Sequence, residues 1–332
     1  MSTEVPGVVR SGLTVGVDVG GTKVAAGVVD EHGKVLAHLR RATTASQPGA
    51  AEQVIAEVVL ELAARHDVVA VGVGAAGLVD ETRSVVRFAP NLNWREQPVR
   101  ALLEQATGLP VVVENDANAA AWAEYRFGAA QGRTDVVMVT VGTGIGGALI
   151  LDGRLYRGRF GLASELGHVV LVPDGRACGC GRRGCWEQYA SGNALLREAR
   201  TGAAEDREGA AFLLSLGDTS PEGVAGPHVT QAALAGDSVA LAAFERAGYW
   251  LGRGMAEMAA LLDPECFVIG GGVSEAGHLL LDPARAAFAD HLMAADYRPS
   301  AEIILAALGN EAGVVGAAEL ARTGAVERVP ER

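Results

Sequence analysis

The stretch Leu13-Thr-Val-Gly-Val-Asp-Val-Gly-Gly-Thr-Lys23 decides the fold. Its β-branched run up to Val19 predicts a strand, Gly20-Gly21-Thr22 predicts a tight turn, and Lys23 to Val29 predicts a second strand. The spacing further along the chain predicts a strand, a helix and a strand at residues 34–40, 47–65 and 68–73. The predicted order is therefore β-β-β-α-β.

The same order begins again at Asp135. Strands are predicted at residues 135–141, 148–151, 154–156 and 266–269, with a glycine-rich turn from Gly142 to Gly147 between the first two. The architecture repeats at a distance of well over 100 residues, which indicates a duplicated α/β domain rather than a solenoid. Two such domains facing each other would form a cleft, where ligands usually bind. The stretch Thr201 to His228 is predicted to be an irregular surface excursion.

The two glycine turns lie at equivalent places in the two repeats. Each places bare backbone amides at the crest of a strand–turn–strand unit, where a phosphate can approach closely. Candidate phosphate ligands are Gly20, Gly21, Thr22, Gly142, Thr143 and Gly144. Neither loop opens a helix, so a dinucleotide fingerprint is disfavoured. An ordinary hairpin turn remains the alternative for each loop taken alone.

Asp18 lies on an apolar strand one residue before the first turn. A buried carboxylate needs a partner. Mg²⁺ bridging phosphate oxygens, directly or through water, would provide one. A surface or turn-capping aspartate is the alternative.

Glu114-Asn115-Asp116-Ala-Asn118 follows an apolar strand and precedes a helical run that ends at Gly128. Asp116 would therefore lie at a helix start and face the cleft, as a base that orients a substrate hydroxyl. Asn115 offers a donor and an acceptor beside it. A helix N-cap is the alternative reading. The polar loop at Asn91 to Asn93 could face the same ligand or be a plain turn.

A cysteine-rich loop supplies a candidate metal site. Its spacing is His-x9-Cys-x-Cys-x4-Cys, formed by His168, Cys178, Cys180 and Cys185. One imidazole and three thiolates make a closed tetrahedral zinc set, which predicts a structural role. Free thiols or a disulfide are the alternatives. Glu165 and Glu187 flank the loop, either as ligand contacts or as solvated carboxylates. Cys266 is predicted to be inert core.

Composition excludes several classes of protein. The 332 residues are 49% hydrophobic and 20% charged, with a net charge of -12, which disfavours disorder and nucleic-acid binding. No run is long enough to span a membrane and the N-terminus has no signal-peptide pattern. Four cysteines do not make a disulfide scaffold, so a cytoplasmic protein is expected.

Together these motifs resemble the ROK family of sugar kinases, repressors and open reading frames. The similarity runs from Leu13 to about Gly324 and includes Cys185-Trp-Glu-Gln-Tyr-Ala-Ser-Gly192 and Ile269-Gly-Gly-Gly-Val-Ser274. Within this family, the sequence most resembles the ATP-dependent glucokinases of the actinobacterial type. The resemblance implies the hexokinase/actin-like two-domain ATPase fold. The expected division is a smaller domain at 11–118 plus 308–324, a larger domain with a zinc-bound loop at 119–307, and a flexible arm at 1–10.

The resemblance also assigns roles to individual residues. Asp116 matches the catalytic base on the sugar 6-hydroxyl. Five further residues match sugar contacts: Asn93, Asn115, Glu165, His168 and Glu187. The ATP and magnesium site matches Asp18, Gly20, Gly21, Thr22, Lys23, Gly142, Thr143 and Gly144, and the adenosine side matches Gly270, Gly271 and Gly272. His168 and the three loop cysteines match zinc ligands. Family members are commonly dimers or tetramers, so a homodimer or homotetramer is expected.

The implied function is phosphorylation of D-glucose by Mg-ATP to glucose 6-phosphate. Two alternatives stay open: a kinase for another hexose, such as mannose or N-acetylmannosamine, and a sugar sensor in carbon catabolite control, with or without turnover. The family's repressors carry a helix-turn-helix domain before the kinase-like part, and only about 12 residues precede the first strand here, so a repressor is not expected. The cysteine loop favours ATP over polyphosphate as donor.

Overall fold

The structure is a computed structural model, and it describes residues 11–43 and 49–324. The expected arm at 1–10 and the first residues of the expected helix at 47–65 lie outside this part of the chain. The elements of the first part are β1 (Leu13–Val19), β2 (Lys23–Val29), β3 (Val35–Ala42), α1 (Ala50–Ala63), β4 (Val68–Ala75), β5 (Leu78–Val79), β6 (Val86–Ala89), β7 (Trp94–Gln97), α2 (Val99–Thr107), β8 (Val111–Asn115) and α3 (Asp116–Phe127).

The remaining elements continue the pattern. They are β9 (Val136–Val141), β10 (Ile145–Leu151), β11 (Arg154–Tyr156), α4 (Glu187–Ala190), α5 (Gly192–Glu205), α6 (Ala211–Ser215), α7 (Gly226–Leu234), α8 (Ser238–Leu262), β12 (Cys266–Gly270), α9 (His278–His291), β13 (Glu302–Leu305) and α10 (Ala312–Thr323). Short 3-10 helices cover Pro90–Leu92, Leu166–His168, Gly272–Ala276, Ala295–Tyr297 and Gly309–Glu311.

Two five-stranded sheets share one strand order. The first runs β3-β2-β1-β4-β8 and the second β11-β10-β9-β12-β13, so each runs third, second, first, fourth, fifth along its own repeat. In the first sheet β1 pairs antiparallel with β2 and parallel with β4, and β4 pairs parallel with β8. In the second, β12 pairs parallel with β9 and β13. The predicted duplicated α/β fold is confirmed.

The described residues form two compact units. The first comprises the residues up to Thr134, Ala148–Ser164 and the residues from Ala307 on; the second comprises Asp135–Gly147 and Glu165–Ala306. Unlike the expected division, this grouping places α3 in the first unit, because α3 packs on α10. The domain boundary after residue 118 stays a prediction.

Helix α10 packs against the first sheet and against α3 through glycines. A Cβ on Gly72 would lie 1.7 Å from the carbonyl oxygen of Ala317, and a Cβ on Gly316 would lie 1.7 Å from that of Ala119. Side chains at either position would collide with backbone, so these glycines allow the close approach. The elements that carry Asp18 and Asp116 are thereby packed around one helix.

The interpretation of residues 201–228 as irregular is wrong in part. This stretch holds the end of α5, all of α6 and the start of α7. Leu213 and Val224 are fully buried. These helical pieces are short, and tertiary burial rather than a long periodic pattern stabilises them.

Within the described residues, no helix combines the length and apolar character needed to cross a bilayer.

Candidate active site

Three parallel strands of the first unit bring Asp18 and the start of α3 to one edge of the sheet. Asp18 of β1 is the register partner of Gly74 in β4, and Gly74 is the partner of Glu114 in β8. A Cβ on Gly74 would lie 3.8 Å from the Cα of Asp116. The carboxyl ends of parallel strands are where α/β folds usually bind ligands. Both aspartates therefore lie where such a site is expected.

The Asp18 carboxylate lies in an environment that disfavours its charge. Burial, and to a lesser degree the nearby Asp116 carboxylate, raise its pKa to about 6 although Lys23 lowers it. The first turn of α10 approaches it, since a Cβ on Gly313 would lie 3.2 Å from the Asp18 carboxylate carbon. A divalent cation would relieve this unfavourable electrostatic state.

The first glycine turn is tight and partly exposed. The backbone N–H of Gly20 donates to the carbonyl of Lys23 at 3.0 Å. A Cβ on Gly21 would lie 3.0 Å from the carbonyl oxygen of Asn91, so the turn packs against the loop that carries Asn93. Thr22 and Lys23 are exposed. The turn presents backbone and a cation beside Asp18, as a phosphate site requires.

Asn115, not Asp116, caps helix α3. The Asn115 Oδ1 accepts from the backbone N–H of Asn118 at 3.0 Å, and its Nδ2 donates to the carbonyl of Gly77 at 3.2 Å. Asp116 is the first residue of the helix, and its Oδ1 accepts from the N–H of Ala117 at 2.9 Å. Burial raises the pKa of Asp116, although the Ala117 N–H lowers it.

Asn93 lies in the loop between β6 and β7, two strands of a small three-stranded sheet with the order β5-β6-β7. It has a left-handed φ of 54° and is exposed between buried Leu92 and Trp94. Asparagine tolerates this conformation better than most residues. The Asn93 side chain is therefore exposed to solvent, whereas the apolar side chains on either side of it are buried.

The second unit carries the equivalent glycine loop. The N–H of Gly142 donates to the carbonyl of Gly144 at 3.0 Å. The first residues of α5 donate back to the loop: the N–H of Gly192 lies 2.7 Å from the Gly142 carbonyl oxygen and that of Asn193 lies 3.4 Å from the Thr143 oxygen. The start of α5 therefore fixes the loop.

Gly270 is the last residue of β12 and pairs with Thr140 near the end of β9, and Gly271 and Gly272 follow it. Gly271 has a φ of +84°, and a Cβ there would lie 2.6 Å from the carbonyl oxygen of Val141. Only glycine suits both the backbone conformation and the space. The structure therefore brings this loop to the same sheet edge as the 142–144 loop.

Glu187 joins that loop to the cysteine cluster. Its Oε1 lies 3.0 Å from the Cys178 sulfur and 3.8 Å from His168 Nδ1. A Cβ on Gly144 would lie 2.7 Å from its Oε2. Glu165 is exposed at the start of the 3-10 helix that ends at His168, and its carbonyl accepts from the His168 N–H at 3.0 Å.

The four predicted metal ligands come together. The ligand atoms of His168, Cys178, Cys180 and Cys185 all lie within 4.8 Å of one another. His168 Nδ1 is 3.6 Å from the Cys178 sulfur, and the sulfurs of Cys180 and Cys185 are 3.6 Å apart. Tetrahedral zinc with bonds of about 2.3 Å would space two sulfurs at about 3.8 Å. The cysteines are free thiols, so the set fits zinc and not a disulfide.

The sequence interpretation missed the partners of Glu114. This residue is 1% exposed, and its Oε2 lies 2.8 Å from the Nε atoms of both Arg83 and Arg157. One signal was present: a charged residue directly after the apolar residues Val111 to Val113 needs partners if the strand is buried. Nothing local indicates which arginines provide them.

A protein-family model described as "ROK family" matches residues 14–324. The chain belongs to the ROK family. Among ROK proteins, it is 51% identical over 311 residues to the glucokinase of Streptomyces coelicolor, covering 94% of this chain and 98% of that one. It is 38% identical to the glucokinase of Thermotoga maritima, covering 92% and 96%.

A solved ROK structure agrees with the fold. The crystal structure of the ROK family glucokinase from Streptomyces griseus in complex with glucose and AMPPNP is 54% identical to this chain, with a TM-score of 0.87. The match covers 94% of this chain and 99% of that one. The ROK assignment made from the motifs is confirmed.

Proposed function

We propose that this chain transfers the γ-phosphoryl group of ATP to the 6-hydroxyl of D-glucose. The observation that carries the proposal is the pair of aspartates, Asp18 and Asp116, at the carboxyl edge of one sheet and beside a glycine turn. The relatives support the substrates: two are glucokinases, and a third was solved with glucose and an ATP analogue.

Asp116 acts as the base. It accepts the proton of the sugar 6-hydroxyl while that oxygen forms a bond to the γ-phosphorus and the bond from phosphorus to the ADP oxygen breaks. A loose transition state asks little of a base beyond orienting the hydroxyl. Burial raises the pKa of Asp116, which makes its carboxylate a stronger proton acceptor.

Asn115 can hold a sugar hydroxyl despite its capping role. Its amide uses one hydrogen on Gly77 and one lone pair on Asn118, so one donor and one acceptor position remain. The other proposed sugar contacts are Asn93, Glu165, His168 and Glu187. The His168 Nδ1 faces the Cys178 sulfur, which leaves Nε2 for a hydroxyl.

The proposed nucleotide contacts follow the glycine loops. In the first unit the proposed phosphate contacts are Gly20, Gly21, Thr22 and Lys23. In the second unit they are Gly142, Thr143 and Gly144, and the proposed contacts of the adenosine side are Gly270, Gly271 and Gly272. Asp18 would hold Mg²⁺, which neutralises charge on the transferring phosphoryl group. The raised pKa of Asp18 supports this assignment.

Zinc would be held by His168, Cys178, Cys180 and Cys185. Four protein ligands leave no open position, so the ion would serve structure alone. The loop that zinc would hold contains the exposed Cys180. Isolated β-bridges pair Val170 with Cys185 and Ala177 with Arg183. Zinc binding would thereby fix the backbone on both sides of His168.

We also propose that the chain is a cytoplasmic homo-oligomer, either a dimer or a tetramer. ATP as the donor and the free thiols support the location. Tyr297, Leu261 and Met293 are 91%, 76% and 60% exposed, and contact between copies at these side chains would remove apolar surface from water. Light scattering after gel filtration tests the oligomeric state, and a monomeric mass across concentrations would refute this part.

A coupled assay for hexose 6-phosphate tests the function. The zinc-replete protein is given Mg-ATP with glucose, mannose, fructose or N-acetylmannosamine, and polyphosphate replaces ATP in a parallel set. We expect glucose and ATP to give the highest kcat/KM. A higher kcat/KM with another sugar would overturn the glucose assignment. The absence of turnover with every sugar would overturn the assignment of kinase activity.

A further inference from the structure

The first unit contains a carboxylate between two buried arginines. Glu114 is 1% exposed, and Arg83 and Arg157 are 5% and 8% exposed. Both guanidinium Nε atoms lie 2.8 Å from the same oxygen, Glu114 Oε2. Burying such a group requires desolvation of three charges, and an apolar replacement would often stabilise a fold as well or better. Stability alone is therefore a weak explanation for this arrangement.

The other oxygen of Glu114 faces the start of α3. Glu114 Oε1 accepts from the backbone N–H of Asn115 at 2.9 Å and from Asn118 Nδ2 at 3.1 Å. The N–H of Asn118 in turn donates to Asn115 Oδ1 at 3.0 Å. These bonds close a ring through Glu114, Asn115 and Asn118. Asp116 lies within that ring, so the ring fixes the backbone from which its carboxylate projects.

The arginines are themselves fixed to the turn after β5. Arg157 donates from Nη2 to the carbonyl of Asp80 at 2.8 Å and from Nη1 to that of Glu81 at 3.2 Å. Arg83 has a left-handed φ of 56°, and its carbonyl accepts from the N–H of Val113 in β8. The Glu114 carboxylate thus connects this turn, the segment containing Arg157 and the first turn of α3.

We propose that Glu114 is a positioning residue for Asp116, held in place by Arg83 and Arg157. One carboxylate oxygen binds the arginines and the other binds the first turn of α3, so the direction of the Asp116 side chain depends on Glu114. Proton acceptance requires an aligned reacting geometry, and a displacement of about 1 Å can lower the rate about 100-fold. The inference rests on the proposed role of Asp116 as base.

The test compares two buried glutamates that each lie between two arginines but belong to different elements of the fold. Glu319 of α10 is 2% exposed and also lies between two arginines, with Arg322 Nε at 3.0 Å and Arg126 Nη2 at 3.2 Å. Glu114→Gln and Glu319→Gln each keep the side-chain shape and remove the charge. Both variants are expected to lower the melting temperature.

Only Glu114→Gln is expected to lower kcat, by about 10- to 100-fold. The KM for ATP should change less than about threefold, because Glu114 does not touch the proposed phosphate loops. Glu319→Gln should keep the kcat of the unaltered chain. Equal kcat values for the two variants would overturn the inference, since Glu114 would then be only structural.

A milder variant covers the case in which Glu114→Gln does not fold. Asn118→Ala removes the donor to Glu114 Oε1 but keeps the backbone N–H that Asn115 caps, and should lower kcat about three- to tenfold. An unchanged kcat would overturn the inference. Asp116→Asn is measured in parallel. Full activity of Asp116→Asn would refute the proposed base. An inactive Asp116→Asn together with a normal kcat in Glu114→Gln would refute only the positioning role of Glu114.

Discussion

The Oε1 atom of Glu187 lies 3.0 Å from the sulfur of Cys178. One residue thus belongs both to the surroundings of the candidate zinc cluster and to the proposed sugar contacts, and its other oxygen lies beside the 142–144 loop. Together with His168, which is both a candidate zinc ligand and a proposed sugar contact, Glu187 should therefore transmit a change in the cluster to the sugar contacts.

Loss of zinc should weaken glucose binding more than ATP binding. In Cys180→Ser we expect zinc content below one tenth of an equivalent, and a glucose KM raised about tenfold or more, in keeping with the 10- to 100-fold effects seen around metal ligands. Elemental analysis and steady-state kinetics measure both. Cys266→Ala changes a cysteine outside the cluster and should keep its zinc. Full zinc content in Cys180→Ser would contradict the ligand assignment.

Asp116→Asn should abolish turnover without unfolding the protein. Removal of a general base lowers kcat about 100- to 10,000-fold. The melting temperature should stay the same or rise, because burial disfavours the charged form that the substitution removes. Asp67→Asn, an exposed position in the same unit, serves as the control and should keep full activity. Near-normal kcat in Asp116→Asn would contradict the proposed mechanism.

The pKa of about 6 at Asp18 predicts opposite effects of pH on stability and on activity. Its folded pKa is raised above the usual 3.8, so its contribution to stability is fully present below pH 3.8 and is lost as the pH rises toward 6. Mg²⁺ needs the charged form, so the KM for Mg-ATP should rise as the pH falls below about 6.

Asp18→Asn separates the two effects. At pH 7 it should raise the free energy of unfolding of the metal-free protein by about 1 to 2 kcal/mol, below the ceiling that two pKa units would set. Turnover should nevertheless fall steeply. Denaturant titrations at pH 4 and pH 7 check the first effect, and the stability gain should vanish at pH 4. A loss of stability at pH 7 would show that the Asp18 charge is already compensated in the protein alone.

The close approach of α10 predicts a large difference between two glycine substitutions. Gly316→Ala would push a Cβ to within 1.7 Å of the Ala119 carbonyl and should destabilise the chain by about 2 kcal/mol or more. Gly226→Ala meets nothing within 4 Å and should be neutral or stabilising by up to about 1 kcal/mol. Thermal melts compare the two. Equal melting temperatures would contradict the packing described here.

The sequence predicted those features that repeat or follow local chemistry. The strand–turn–strand units around Asp18 and Thr143, the helix start at Asp116 and the metal ligand spacing all depend on neighbouring residues, and the structure has each of them. Two kinds of feature escaped prediction. The short helix α6 depends on burial supplied by distant segments, and the partners of Glu114 come from separate turns that only folding brings together.

The place of α10 has a consequence for biosynthesis. Its close packing on Gly72 means that one face of the first sheet stays open until α10 is made, although β1 leaves the ribosome first. At about 5 to 20 residues per second, that wait lasts about 15 to 60 s. During this time the second repeat emerges and can fold, while the nascent first repeat exposes apolar surface. Newly made chains should therefore depend on chaperones at this stage, and messages truncated before α10 should yield aggregates.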